Sequence, residues 1–328
     1  MRTAVLLMLA LSPAAILADD GAASIAAGGL IVMRREERIA MAKEVLFISA
    51  RKVTVDYDFR NDTDADITTE VAFPIPPYSL ASDQNPASQG FDDFKLWIEG
   101  EPTHFEIEAK AILRGRDYSV LLKSFRIDIA SGGNITSNNR SLQLKKLNST
   151  QKARLIKAGL VDNPNSPAAL WSVEKKYYWL QTFPAHTTIH IRHEYTPVTG
   201  NSNNTFWFEE SADKENDKIE GAKSFCVDPA LLKILKPLSE RKGEMLPLFY
   251  VDFVLTTANT WKRPIEDFTL VVERPHGQKS PQTFVSFCWD GPVTKLDGDH
   301  FSVHAMDFIP KKELHIGFVE VQPWDSGK

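Results

Sequence analysis

A mainly β fold, built as two antiparallel β-sandwich domains with one short helical insertion, is what this sequence predicts, and three observations predict it. Val53 to Phe59 and Ile67 to Phe73 alternate strictly between apolar and polar residues, the period-two pattern of strands with one buried face. Five more alternating runs follow Tyr250, marked by Val251, Phe253 and Leu255; Phe268, Leu270 and Val272; Val285, Phe287 and Trp289; Phe301, Val303 and Ala305; and Leu314, Ile316 and Phe318. Short strands recurring between turns in this way are the signature of a sandwich. Helical spacing is found in a single segment, about residues 149–160.

The elements follow in order. Met1 and Arg2 precede an apolar core, Val5 to Leu11, and Ala18 stands before the acidic pair Asp19-Asp20, which predicts a signal peptide over residues 1–18. The protein is therefore expected in the periplasm or outside the cell, with no membrane span in the mature chain, because no later run is apolar enough. Gly28-Gly29 opens the strand-like Leu30 to Met33, and with Ile39 to Ile48 this reads as a first hairpin. Val53 to Phe59 and Ile67 to Phe73 read as a second hairpin about a polar turn, with Pro74, Pro76 and Pro77 ending the pairing by removing backbone donors. Ser149 is placed to cap the helix, with Ala153, Leu155, Ile156 and Leu160 toward a core and Gly159 as a left-handed terminator. Strands return at Tyr177 to Phe183 and Thr187 to Tyr195. The run Thr199 to Asn204 is apolar-poor and linker-like, which divides the chain into an N-terminal region, 19–200, and a C-terminal region, 201–328.

The net charge is −5, and loss of Arg2 with the leader makes it −6. The basic pairs Arg34-Arg35, Lys145-Lys146, Lys175-Lys176 and Lys311-Lys312 are short and read as compensated nearby. Nucleic acid is not an expected partner, since binding that rests on phosphate neutralisation needs a clustered basic face. The two cysteines, Cys226 and Cys288, are expected to pair in an oxidising compartment. Closing that loop is worth roughly 4 kcal/mol in the chain-entropy account.

Candidate sites are few. Asp62, Asp64 and Asp66 have the odd-position spacing of a calcium loop, but Ile67 stands where such a loop needs Gly and Phe73 where it needs Glu, so a polar turn is expected. His186, His190 and His193 have metal-like spacing only on a helix. On a strand His190 and His193 point to opposite faces, and His186 and His190 lie about 13 Å apart; His300 and His304 fail by the same distance. No Gly-x-Ser-x-Gly elbow or His-Glu-x-x-His motif occurs, and no cofactor is expected. Trp171, Tyr177 and Trp179 form the candidate ligand surface, a stacking platform for a sugar or peptide.

The order GGL at Gly28, FRN at Phe59, DITTEVAFPIP at Asp66, FPA at Phe183, EYTPVTG at Glu194, WKRPIEDFTLVVE at Trp261 and VSFC at Val285 resembles the bacterial exported family called domain of unknown function 4424. The resemblance spans nearly all of residues 19–325 and implies location and architecture, with no activity attached. The first half is also similar to the vault/inter-alpha-trypsin β-sandwich domain, from which the helix near residue 150 departs. Together these readings predict a non-catalytic binding or structural module of the cell envelope, its partner an envelope protein or glycan. The second reading is a secreted hydrolase acting on glycan or peptide through a carboxylate pair.

Overall fold

The computed structural model describes residues 21–26, 30–81, 93–134, 140–202, 205, 207, 221–241, 244–275 and 282–323; the leader, Gly28-Gly29 and the 209–220 charged run lie outside them. In chain order the first half contains β1 (Gly21–Ala26), β2 (Leu30–Met33), β3 (Ile39–Ile48), β4 (Val53–Asn61), β5 (Ile67–Ser79), β6 (Lys95–Ile98), β7 (Glu101–Pro102), β8 (Glu106–Leu113) and β9 (Arg116–Asp117). Helices α1 (Ser119–Ser124), α2 (Leu142–Lys145) and α3 (Ser149–Lys157) follow, then β10 (Ser172–Phe183), β11 (Thr188–Tyr195) and β12 (Thr199–Ser202). The remainder is α4 (Pro229–Ser239), β13 (Glu244–Met245), β14 (Leu248–Phe253), β15 (Ile265–Glu273), β16 (Thr283–Phe287), β17 (Thr294–Lys295), β18 (His300–Phe308), β19 (Leu314–Glu320) and β20 (Gln322–Pro323).

Alternation places the inward residues as expected: Val53, Val55, Tyr57 and Phe59 on β4 and Ile67, Val71 and Phe73 on β5 are buried. The two strands do not pair with each other. β4 lies in an eight-stranded sheet, order β17-β18-β15-β3-β4-β11-β6-β7, and β5 in a six-stranded sheet, order β2-β1-β5-β10-β8-β9. The expected hairpin is thus an arch that carries the chain from one layer to the other. The apolar faces of the two sheets meet across the core, as the rings of Phe59 on β4 and Phe183 on β10, 5.9 Å apart, do. The expected first hairpin fails the same way, β2 pairing with β1 and β3 with β4.

A second arch, β10 to β11, lies against the first, since β10 pairs with β5 and β11 with β4. Asn61, fully buried, joins them. Its Nδ2 donates to Ala65 O and to Phe183 O, both at 2.9 Å, and its Oδ1 accepts from Thr63 N at 3.0 Å. Its own amide donates to Thr187 O at 2.9 Å. Pro74, Pro76 and Pro77 do not end β5, which pairs with β10 as far as Ser79. On its other side β1 reaches Ala72, so among the described residues the prolines sit where the strand has one neighbour and missing donors cost little.

The expected boundary near residue 200 is crossed by this architecture. β15, β17 and β18 join the eight-stranded sheet, β15 running parallel to β3, and one apolar core contains Phe59, Phe73 and Phe268 together. Thr199 to Ser202 is an edge strand rather than a linker, pairing with β14 in the four-stranded sheet β12-β14-β19-β16. Gly200 lies under the Tyr250 ring, where a Cβ would fall 1.9 Å from Cζ. A smaller cluster, including Trp207, Phe225, Leu235, Leu248 and Val319, fills the space under α4. Asp228 caps α4 by accepting from Leu231 N, with Pro229 in the first turn, a start signal legible in the sequence and absent from the single-helix expectation.

α3 forms where helical spacing placed it, but Asn148 is its cap, in a capping box with Gln151. Gly159 terminates it at φ +74°, and Leu160 N donating to Leu155 O with Gly159 N donating to Ile156 O completes a Schellman closure. Leu155 and Leu160 reach the core, whereas Ala153 and Ile156 face solvent.

Candidate functional site

The aromatic surface expected on β10 is core. Trp171, Tyr177 and Trp179 are 0%, 1% and 4% exposed. Tyr177 and Trp179 belong to the inward set of the β10 alternation, and Trp171 Nε1 donates to Ile129 O at 3.1 Å. Lys175 does not mark an exposed edge: it is itself 3% exposed, its ammonium 5.0 Å from the Tyr177 ring centroid. Burial lowers the pKa of the neighbouring Lys176.

The acidic turn divides its carboxylates among different partners. Asp62 pairs with Arg60, Lys262 and Arg263 at 2.6–3.2 Å, Asp64 with His186 at 2.9 Å, and Asp66 accepts from Ala185 N at 2.9 Å. The hydrogen bond from Arg60 is the largest influence holding the Asp62 carboxyl down, to about 2. His190 points outward between Asp56 and Asp58, at 3.2 and 2.9 Å. His193 points inward among the rings of Phe73, Phe94, Trp179 and Tyr57, centroids 5.0–5.5 Å away. His304 is held by Asp267 at 2.9 Å and His300 by Asp297 at 2.9 Å. Among the described residues no three His, Cys, Asp or Glu side chains converge as metal ligands.

What the fold does build is a cavity of about 390 Å³ where β18 turns into β19. Leu255, Trp289, Phe308 and Leu314 line it, with Met306 and Ile309 on its rim, 63% and 53% exposed. Phe268 backs the wall, its ring 4.6 Å from Phe308 and 5.7 Å from Trp289. The loop closing the cavity is pinned. Glu313 accepts from Leu255 N at 2.9 Å and Thr256 Oγ1 at 2.6 Å, and Asn259 Nδ2 donates to Pro310 O at 2.9 Å. Cys288, in the opposite wall, is bonded to Cys226 with S–S 2.02 Å; the expected pairing forms. Gly291 is at φ +153°, and a Cβ there would lie 3.3 Å from Trp289 Nε1, so glycine keeps the indole N–H edge clear. A pocket of this size with aromatic walls and a few polar groups has the character of a small-molecule site. Its sequence signal was the failure of alternation after Ala305, where Met306, Phe308 and Ile309 crowd both faces.

The fold and the site define a disulfide-tied, two-layered β protein with a preformed aromatic pocket. The profile described as domain of unknown function (DUF4424) matches residues 18–316, and the chain belongs to this family. No curated protein matches the sequence. Among solved structures, a candidate nutrient binding protein of Legionella pneumophila is similar at 15% identity and TM-score 0.42, over 87% of this chain and 68% of that one. The M1 zinc metallopeptidase of Deinococcus radiodurans is similar at 8% identity and TM-score 0.30, over 87% of this chain and 43% of the peptidase; the chain thus spans under half of that enzyme. Likeness at these levels assigns neither ligand nor activity.

Proposed function

We propose that this chain is an exported, non-catalytic binding module of the cell envelope, which receives the apolar part of a small ligand between Trp289 and Phe308. The observation that carries the reading is the pinned aromatic cavity of about 390 Å³. The Cys226–Cys288 bond supports an oxidising compartment, and no described helix is long and apolar enough to cross a membrane. The likeness of the first half to vault/inter-alpha-trypsin domains belongs to the same reading, a rigid β scaffold presenting a site.

Two measurements test it. Cell fractionation with N-terminal sequencing should find the chain outside the cytoplasm and starting at Asp19; an intact Met1 in cytosol overturns export. Thermal-shift screening of the disulfide-intact protein against small amphipathic compounds should find a binder that raises Tm, by about 2.7 kcal/mol of stabilisation at a hundred times Kd. Gly291→Val should abolish that shift. A binder unaffected by Gly291→Val and Met306→Glu places the site elsewhere, and turnover of the binder overturns the non-catalytic assignment.

A further inference from the structure

The helical insertion carries a charge opposite to the rest of the protein. Residues 114–158 contain ten Lys and Arg against two Asp, a net +8 in a chain of −5, which leaves −13 on everything else. The reading of Lys145-Lys146 as compensated nearby is thereby corrected. Both aspartates are turned to local hydrogen bonds: Asp117 accepts from Ser119 N and Oγ at 2.7 and 2.5 Å, and Asp128 from Ala130 N and Ser131 Oγ at 3.0 and 2.8 Å. Among the described ion pairs, the one made by a cation of this segment is Arg140 with Asp162, at 2.7 Å.

The cations also have shape. β9, α1 and α3 enclose an open cleft lined by Arg116, Arg154 and Lys157 with Val120 and Leu121. The Arg116 guanidinium sits 5.3 Å from the Tyr118 ring centroid and that of Arg154 5.9 Å from Phe125, stacking that holds planar cations in place with charge still available. Each helix also exposes one large apolar residue: Val120 on α1 at 83%, Leu142 on α2 at 49% and Ile156 on α3 at 38%.

We infer that the helical insertion docks the protein peripherally on an anionic bilayer surface, with Arg116, Arg154 and Lys157 taking lipid headgroups and Val120 entering the interface. Charge complementarity selects an anionic partner, and the apolar residues among the cations select a lipid surface over a nucleic acid or other polyanion. The acidic remainder orients the molecule by repulsion, so that this face leads.

Flotation of the mature, disulfide-intact protein with phosphatidylcholine vesicles, with and without phosphatidylglycerol, tests the inference. Binding should require phosphatidylglycerol and weaken as salt is raised. The triple variant Arg116→Gln, Arg154→Gln, Lys157→Gln should bind roughly 100-fold more weakly, about fivefold per cation removed, with an unchanged circular dichroism spectrum. Val120→Ser should weaken binding less, and Lys43→Gln, exposed on β3 outside the insertion, should leave it unaltered. Equal binding to both vesicles, or a triple variant that binds as the parent does, overturns the proposal. So does binding to heparin or duplex DNA without binding to vesicles, which assigns the face to a soluble polyanion. None of these outcomes depends on the Trp289 pocket.

Discussion

The arch core and the cluster under α4 solve the same problem at different sizes. The first lies between two wide sheets and fills with Phe59, Phe73, Phe183, Trp261 and Phe268, each worth roughly 1.5–3 kcal/mol of burial. The second is small, built on Trp207, Phe225 and Leu235, and lies next to the chain's disulfide, whose Cys226 directly follows Phe225. Burial grows with the size of a core, so the wide one is held by packing and the small one gains from a covalent tie.

The largest expected effect breaks the packed side. Phe73→Ala empties a site among Phe94, His193, Tyr195 and Phe253, and chemical denaturation should show a loss of about 3–5 kcal/mol. Replacing both Cys226 and Cys288 by Ser should cost about 2–4 kcal/mol, expressed locally. Hydrogen exchange should accelerate in α4 and β16 while β4 and β10 keep their protection; equal acceleration everywhere would refute the contrast. Asn61→Ala removes the buried hydrogen bond to the Phe183 carbonyl, for a loss of about 1–3 kcal/mol, and tests whether the two arches act as one unit.

The smallest effect is a difference in pH response. His315, on β19, is paired with Asp252 of β14 at 2.7 Å, and that hydrogen bond, against burial, raises its pKa above 6.5. Its stabilisation is fully present below the unfolded value and is lost as pH rises through the folded one. Asp62 at the arch behaves oppositely: its contribution is present above 3.8 and lost as pH falls toward about 2. Both are surface pairs of modest strength. Asp252→Asn should flatten the Tm–pH curve near neutrality, and Asp62→Asn should flatten only its acid limb.

Much of the fold was legible because alternation is a local property. It located β4, β5, β10, β11 and later strands and named the inward residues of β4, β5, β15 and β19, and the α3 terminator was readable at Gly159. The candidate site was not legible. Trp171, Tyr177 and Trp179 were mistaken for surface because adjacent lysines suggested exposure, yet Lys175 lies in the core with its charge against an aromatic face. Trp289 and Phe308 meet only when the end of β18 comes back beside the chain leaving β16, and no local period encodes that meeting.

By itself the sequence determined where most of the long strands run, which faces of β4, β5, β15 and β19 go inside, and that two cysteines would join. Tertiary structure alone decided that the Asp62–Asp66 turn crosses between sheets, that β15 joins β3 across residue 200, and that Arg116 meets Arg154 and Lys157 at one cleft. The reason is the range of the forces: a strand's inward face follows from its own side chains, whereas its partner is chosen by burial and register summed over residues far apart in the chain.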